Sequence, residues 1–241
     1  MSEPLLSLAG VNTHIGQYHI LQGVDFAVAP GSLTMLLGRN GAGKTTCLRT
    51  IMGLWRASAG RIRYAGTELQ TLDTPAIAQL GIAYVPESMG IFAGLTVREN
   101  VLLAARGGEP EARRLQWIFA LFPALQKFWH SAAGNLSGGQ KQMLAIARAI
   151  VEPRRLLLID EPTKGLAPAI VANMTEAFRE LKRAETTMLV VEQNFGFARA
   201  LGDACVVMDS GRIVHAGSMP ALAADTALQT RLLGLSLALH Q

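Results

Sequence analysis

The stretch that decides the fold is GRNGAGKT, residues 38–45. It fits the phosphate-loop pattern G-x-x-x-x-G-K-[ST], with a strand-like run at residues 32–37 before it and a helical pattern after it. Glycines let the backbone N–H groups turn inward toward an anion, and the N-terminus of the next helix adds its positive dipole end. An ordinary glycine-rich turn would not need every one of these positions. The predicted phosphate-binding residues are Gly38, Arg39, Asn40, Gly41, Ala42, Gly43, Lys44, Thr45 and Thr46.

Two side chains of this loop carry the chemistry of nucleotide binding. Lys44 supplies a positive charge to the β- and γ-phosphates, and the hydroxyl of Thr45 is suited to ligate Mg²⁺. The predicted cofactors are therefore ATP and Mg²⁺.

A second motif, LLLIDEP at residues 156–162, reads as a buried strand that ends in two acids. Adjacent carboxylates at the end of a buried strand are costly to desolvate, so they call for a function. We predict that Asp160 binds the metal and that Glu161 activates water. The alternative is a pair of capping acids, which the phosphate loop makes the weaker reading.

Further apolar runs predict an α/β fold. Residues 82–86, 187–192 and 204–209 are compact and rich in aliphatic residues, as are strands buried on both faces of a largely parallel sheet. A helical pattern at residues 169–183 lies between two of these runs, which favours an α/β sandwich.

Between residues 87 and 135 the strand-like runs disappear and the pattern becomes helical. Leu115, Ile118, Phe119 and Phe122 fall on one helical face, which we interpret as core packing. We predict one domain over residues 1–241, with an α/β core at about 1–86 and 154–241 and a helical subdomain at about 87–153. Residues 226–239 are predicted to form a closing helix.

Composition excludes several classes of protein. Half of the 241 residues are apolar, and the formal net charge is only +4, with basic residues scattered and no interleaved aromatics, so we expect no nucleic-acid partner. The two cysteines, Cys47 and Cys205, are far apart and are expected to be buried thiols in a reducing compartment. With neither a signal peptide nor a spanning segment of roughly 20 apolar residues, we expect a soluble cytosolic protein, for which any membrane role must come through a partner.

The segment LSGGQ, residues 136–140, offers a second anion site at the start of a helix. Serine is also a preferred helix N-cap, so a simple cap is the alternative interpretation. The predicted ligand-binding residues of this segment are Ser137, Gly138, Gly139 and Gln140.

In order and spacing, the phosphate loop, LSGGQ and LLLIDEP resemble the ATP-binding subunit of an ABC transporter, over essentially the whole chain. The resemblance implies a P-loop NTPase core with a helical insertion and ATP hydrolysis coupled to transport. It also implies that Ser137 and its glycines bind the γ-phosphate held by the phosphate loop of a second ATP-binding subunit in a head-to-tail dimer. The other implied partners are transmembrane permease subunits and, indirectly, a periplasmic binding protein. The implied location is peripheral, on the cytoplasmic side of the inner membrane.

Several positions depart from the general pattern of that family. Glu87 replaces a glutamine that contacts Mg²⁺, Gln193 replaces a histidine that contacts the γ-phosphate, and Ala167 replaces an aspartate. Ile15 stands where an aromatic residue stacks on adenine, which leaves His14 or Tyr18 as open substitutes. The predicted metal ligands are Thr45, Glu87 and Asp160, and the predicted catalytic residues are Glu161 and Gln193.

Together with GLAP at 165–168, these departures resemble the ATPases of bacterial importers for branched-chain amino acids and related amides such as urea. One alternative is the ATPase of a lipopolysaccharide-type exporter, against which Gln193 argues because such proteins keep the histidine. Another is a soluble ABC protein that acts on DNA or ribosomes, although those usually carry two cassettes or long coiled coils. The transported solute, and the choice between an identical and a related partner ATPase, stay open.

Overall fold

The computed structural model describes residues 3–234. Its strands, in chain order, are β1 Leu6–Ile15, β2 Tyr18–Val28, β3 Leu33–Leu37, β4 Ala57–Tyr64, β5 Thr67–Glu68, β6 Ile82–Val85, β7 Leu156–Asp160, β8 Thr187–Val191, β9 Ala204–Asp209 and β10 Arg212–Ser218. Its α-helices are α1 Lys44–Ile51, α2 Thr74–Gln79, α3 Val97–Leu102, α4 Ala112–Leu121, α5 Pro123–Lys127, α6 Gly138–Ile150, α7 Pro168–Arg183, α8 Phe195–Leu201, α9 Met219–Ala224 and α10 Thr226–Leu233.

A six-stranded sheet forms the centre of the molecule, in the order β10-β9-β3-β8-β7-β6. The five strands from β9 to β6 are parallel, and β10 pairs with β9 in the antiparallel sense. Every residue of β3, β7 and β8 is buried, as expected for strands covered on both faces. The parallel sheet predicted from the aliphatic runs is confirmed, with three of the predicted strands one residue shorter than expected.

This topology brings three loops to one edge of the sheet. Strands β3, β8 and β7 are neighbours and parallel, so the loops that follow them leave from the same side. In open α/β sheets, ligands bind outside the carboxyl ends of the strands. The phosphate loop after β3 therefore lies beside the acids after β7 and Gln193 after β8.

A second, antiparallel sheet, in the order β2-β1-β4-β5, was not predicted from the sequence. Its alternation of buried and exposed residues is interrupted, because the pairing of β1 shifts register between Leu8 and Val11 toward β2 and between Ala9 and Asn12 toward β4. At the shift Gly10 has φ 59°, and a Cβ on Gly60 of β4 would lie 2.3 Å from the carbonyl oxygen of Gly10. The two backbones touch here, which only glycine at position 60 allows.

The chain between β6 and β7 contains α3, α4, α5 and α6, and the part of the chain that is described shows no strand there. On α4, Ile118 is buried, as is Phe122 just after it, while Leu115 and Phe119 are partly buried. Phe119 packs edge-on against Trp129, with ring centroids 5.0 Å apart. The interpretation of this apolar face as core packing is confirmed.

Helix α10 covers the first part of the predicted closing helix at 226–239, and residues 235–241 lie outside the described residues. Cys47 and Cys205 are both buried and free, which confirms the expectation of buried thiols. Among residues 3–234, none of the helices has the length and apolar character needed to cross a bilayer.

Candidate nucleotide site

The phosphate loop joins β3 to α1 in a conformation that requires glycine. Gly38, Gly41 and Gly43 have φ values of 144°, 79° and 104°. A Cβ on Gly38 would lie 2.2 Å from the backbone oxygen of Met208, so no larger residue fits there. The loop leads directly into the N-terminus of α1, which begins at Lys44. The result is a backbone cradle suited to phosphate.

Lys44 is held inside this loop. Its Nζ donates hydrogen bonds to the carbonyl oxygens of Gly38 at 2.8 Å and Arg39 at 3.0 Å, and the residue is only 5% exposed. Burial lowers the pKa of Lys44, while the charges of Glu161 and Asp160 act in the opposite direction. The ammonium is thus a preplaced cation whose partners include neutral carbonyls that a phosphate can replace.

Thr45 and Asp160 meet across the ends of α1 and β7. The Thr45 hydroxyl donates to Asp160 Oδ1 at 3.2 Å, and Asp160 is fully buried. Burial raises the pKa of Asp160, and the hydrogen bond from Thr45 lowers it. The hydroxyl of Tyr84 lies 3.5 Å from the other carboxylate oxygen.

These oxygen donors fit Mg²⁺. Within residues 3–234 no three His, Cys, Asp or Glu side chains are grouped so as to hold an ion by themselves. Mg²⁺ is usually bound by one or two carboxylates together with substrate phosphates rather than by a cage made of protein. A hydroxyl and a carboxylate 3.2 Å apart beside a phosphate cradle match that mode.

Glu161 and Gln193 contact each other directly. Gln193 Nε2 donates to Glu161 Oε1 at 2.5 Å and to Asn40 Oδ1 at 2.7 Å, so one amide links the two predicted catalytic residues to the phosphate loop. The Glu161 side chain is only 8% exposed. Its backbone has φ 49°, and its N–H donates to the carbonyl oxygen of Val191 at 2.9 Å.

Glu87 pairs with a residue that the sequence did not single out. Its Oε1 lies 2.5 Å from Lys164 Nζ, and the same ammonium lies 3.2 Å from Glu161 Oε2. These two carboxylates raise the pKa of Lys164. In the sequence, Lys164 is marked only by its place three residues after Glu161. Its pairing with Glu87, 77 residues away, could not be predicted from that position.

A pocket of about 360 Å³ contains most of the predicted residues. Ile20 of β2, which the sequence also did not single out, lines it as well; an aliphatic residue in a strand gives no functional signal. The lining residues are Ile20, Asn40, Gly41, Ala42, Gly43, Lys44, Thr45, Thr46, Glu87, Glu161 and Lys164.

Residues 137–140 do not line this pocket. Ser137 is the N-cap of α6: its hydroxyl accepts from Gln140 N at 3.3 Å, and Gln140 Oε1 accepts from Ser137 N at 2.9 Å. A Cβ on Gly139 would lie 2.6 Å from the side chain of Ile170, whereas one on Gly138 would meet no atom within 4 Å. Close packing against Ile170 therefore requires glycine at position 139, whereas the space beside Gly138 is open.

The three residues considered for adenine stacking lie on the β1–β2 hairpin, outside the lining of the phosphate pocket. The ring of His14 stacks on that of His19, with centroids 4.2 Å apart, and Tyr18 is 66% exposed. Ile15 is partly buried at the tip of β1. The choice among His14, Ile15 and Tyr18 stays open.

Comparison with known proteins gives consistent matches. Residues 21–164 match the family described as ABC transporter. Over 232 residues the chain is 38% identical to the high-affinity branched-chain amino acid transport ATP-binding protein BraG of Pseudomonas aeruginosa. This alignment covers 95% of this chain and 100% of BraG. A solved ATP binding subunit of an ABC transporter aligns with a TM-score of 0.80 at 29% identity, over 97% of this chain and 96% of its own. A dimeric cassette in a post-hydrolysis state, bound to ADP and Pi, aligns with a TM-score of 0.79 at 23% identity, over 89% of this chain and 98% of its own.

Proposed function

Because this chain belongs to the ABC transporter family, we propose that it is the ATP-hydrolysing subunit of a bacterial importer for branched-chain or other hydrophobic amino acids or related amides. One contact supports ATP hydrolysis most directly: the side-chain amide of Gln193 donates hydrogen bonds both to Glu161 and to Asn40 of the phosphate loop. The names of the relatives support the transported class.

The phosphate loop binds the triphosphate through its backbone N–H groups and through Lys44. Thr45 and Asp160 would hold Mg²⁺ together with the phosphates, and Glu87, which lines the same pocket as Thr45, would be free to join them once its ion pair with Lys164 opens. When bound, this metal neutralises charge on the phosphates and orients them.

Glu161 is the general base that polarises the attacking water. Its carboxylate is nearly buried and lies at the edge of the pocket that contains Lys44. Gln193 holds this carboxylate and is itself placed to donate to a γ-phosphate oxygen, since it already reaches Asn40 of the loop.

Hydrolysis is tested with the purified chain, ATP and Mg²⁺, by measuring phosphate release. Lys44→Ala should reduce the rate by at least about a hundredfold, the usual cost of losing one preorganised donor to a developing charge. Lys127→Ala on the exposed end of α5 is the matched control and should hydrolyse ATP normally. Equal rates for the two variants would contradict the proposal.

A head-to-tail dimer with a second ATP-binding subunit completes each site. Support comes from the separation of the two anion-binding motifs, because Ser137 and its glycines do not line the pocket of their own phosphate loop. A related cassette is dimeric in its post-hydrolysis state, which supports association of two such subunits. Ser137 and Gly138 would then face the γ-phosphate held by the partner.

The permease subunits bind at a basic groove beside β6. The groove has a volume of about 850 Å³, and its lining includes four arginines and no acidic residue. These arginines are Arg49, Arg106, Arg148 and Arg154.

Two of these arginines favour an acidic ligand. In the described part of the chain, Nε of Arg148 and of Arg154 are buried without a hydrogen-bond partner, and burial lowers the pKa of both residues. Leu54 in the groove and Phe92, whose ring packs under Arg148, are each 49% exposed. Apolar surface beside two arginines that make no ion pair within residues 3–234 suits a cytoplasmic permease segment that carries an acid.

Docking is tested by binding the chain to membranes that contain the permease subunits. Arg154→Glu should abolish binding, while ATP hydrolysis by the isolated chain persists. The control, Arg199→Glu, makes the same charge change at an exposed residue of α8. Retained binding by Arg154→Glu would count against the groove.

Docking at this groove places the chain peripherally on the cytoplasmic side of the inner membrane, and a periplasmic binding protein acts on it only through the permease. The solute class is tested by ATP-driven uptake of leucine and urea into vesicles that contain the reassembled transporter. Uptake of neither solute would contradict the proposed class.

A further inference from the structure

The two proposed catalytic side chains come from different loops, one after β7 and the other after β8. Glu161 follows β7, and Gln193 stands two residues after the end of β8. Their side chains meet at 2.5 Å, so a small shift of either loop would break the contact. Some feature of the fold must hold the two loops in a fixed position relative to each other.

Glu192 lies where it can do so. It is only 2% exposed, and its Oε1 accepts hydrogen bonds from Thr163 N at 3.0 Å and from the Thr163 hydroxyl at 2.6 Å. Its Oε2 accepts from the backbone N–H groups of Gln193 and Asn194, each at 2.9 Å. One carboxylate therefore joins the turn that follows Glu161 to the turn that carries Gln193.

The charge of Glu192 is buried and makes no ion pair in the part of the chain that the structure describes. Burial raises the pKa of Glu192, and the four hydrogen bonds act against that rise. All four groups that contact the carboxylate, from three residues, are donors, so the ionised carboxylate is the form that satisfies them. An apolar residue would avoid this desolvation cost, which calls for another reason for the acid.

We propose that Glu192 is a positioning residue for ATP hydrolysis, which fixes the Gln193 amide against Glu161 by binding both turns. This inference rests on the proposed function. Glu192 touches neither nucleotide nor water in this role; it acts through Gln193. Its loss should lower kcat and change nucleotide binding little, because its carboxylate accepts hydrogen bonds only from Thr163, Gln193 and Asn194, and its charge is the smallest of the influences on the pKa of Lys44.

The test is a double-mutant cycle with Glu192→Gln, Gln193→Ala and both together, with kcat, the KM for ATP and the Kd for ADP measured for each. Glu192→Gln should lower kcat by roughly 10- to 100-fold, as supporting residues behind a reacting group commonly do. The Kd for ADP should stay within about twofold of that of the unaltered protein. In the Gln193→Ala background, the same change should have almost no effect, because the residue through which it acts is gone.

Thr163→Val keeps the test falsifiable if Glu192→Gln does not fold. It removes only the hydroxyl donor at 2.6 Å, and it should lower kcat less, again only when Gln193 is present. Thr34→Val is its matched control, since Thr34 is buried in β3 and its hydroxyl has no hydrogen-bond partner among the described residues. That control should leave kcat unchanged.

Equal losses of kcat with and without Gln193 would overturn the positioning role, as would an unchanged kcat in both Glu192→Gln and Thr163→Val. In either case hydrolysis by the unaltered protein would still stand, provided that Lys44→Ala abolishes it. If the unaltered protein shows no ATP hydrolysis, or only hydrolysis that Lys44→Ala does not reduce, the proposed function and this inference are both overturned.

Discussion

Gln193 Nε2 lies 2.5 Å from Glu161 Oε1, although the two residues are 32 positions apart in the chain. The same nitrogen lies 2.7 Å from Asn40 Oδ1. A neutral amide therefore lies between the acid of one loop and the phosphate-binding turn of another. A histidine at this position would change its charge with pH near neutrality, whereas the amide of Gln193 does not.

Replacing Glu161 with Gln should stop turnover and keep nucleotide binding. The substitution retains the shape of the side chain and removes the basic carboxylate, so residue 161 can no longer accept a proton from water. Phosphate release measures the first effect and ADP titration the second. Near-normal hydrolysis in this variant would show that Glu161 is not the base.

Replacing Gln193 with Ala should lower kcat by about 10²–10³, the usual cost of one preorganised donor. The KM for ATP should change much less, because the phosphate loop is untouched. Steady-state kinetics separates the two parameters. An unchanged kcat would make Gln193 a spectator.

Replacing Lys164 with Met should reduce the Mg²⁺ concentration needed for half-maximal ADP binding. The ammonium contacts Glu87 at 2.5 Å, so in the free protein it competes with a metal for that carboxylate. Both side chains are about half exposed, which limits the expected change to roughly two- to fivefold. Calorimetric ADP titrations at several Mg²⁺ concentrations measure it.

Lys127→Met is the control for this change, because it removes the same charge from α5, outside the pocket. In a Glu87→Gln background, Lys164→Met should have no further effect on the Mg²⁺ requirement. A persistent effect there would show that Lys164 does not act through Glu87.

Mixing two inactive variants tests the composite site. Lys44→Ala damages the phosphate loop, and Ser137→Arg blocks the turn of LSGGQ, residues 136–140, which we call the signature turn. Each homodimer therefore has one damaged half in every site. After subunit exchange, a heterodimer has one site with both halves intact and one with both lesions. Phosphate release should therefore return in part.

If each chain used its own signature turn, two inactive variants would stay inactive after mixing. No recovery, with heterodimers shown to form by differential tagging, would therefore refute the shared site. Failure to form heterodimers would indicate that the native partner is a related ATPase.

The central sheet was predictable because its strands are buried on both faces and read as uninterrupted aliphatic runs, as LLLID of β7 does. The antiparallel sheet was missed because a register shift after Leu8 breaks the period of two that identifies a half-buried strand.

The residues of the phosphate loop follow from a local motif, whereas the pairing of Lys164 with Glu87 depends on a contact across 77 positions. Glu192 shows the same limit. It reads as the last residue of a predicted strand, but β8 ends at Val191 and the acid turns toward Thr163. Long-range hydrogen bonds of this kind leave no pattern in a single sequence.

The φ angle of 49° at Glu161 sets activity against thermal stability. A left-handed backbone conformation costs a residue with a Cβ roughly 1–2 kcal/mol. Glycine avoids this cost, but its extra freedom in the unfolded chain costs roughly 0.5–1 kcal/mol. The difference between the two terms favours glycine. Glu161→Gly should thus melt about 1–4 °C higher than Glu161→Gln, which keeps the side-chain volume and the strained turn. Differential scanning calorimetry of the two inactive variants measures this difference. In its proposed role as the general base, Glu161 gives up this margin of stability, because glycine, the residue that best fits this turn, has no carboxylate with which to activate the water that attacks ATP.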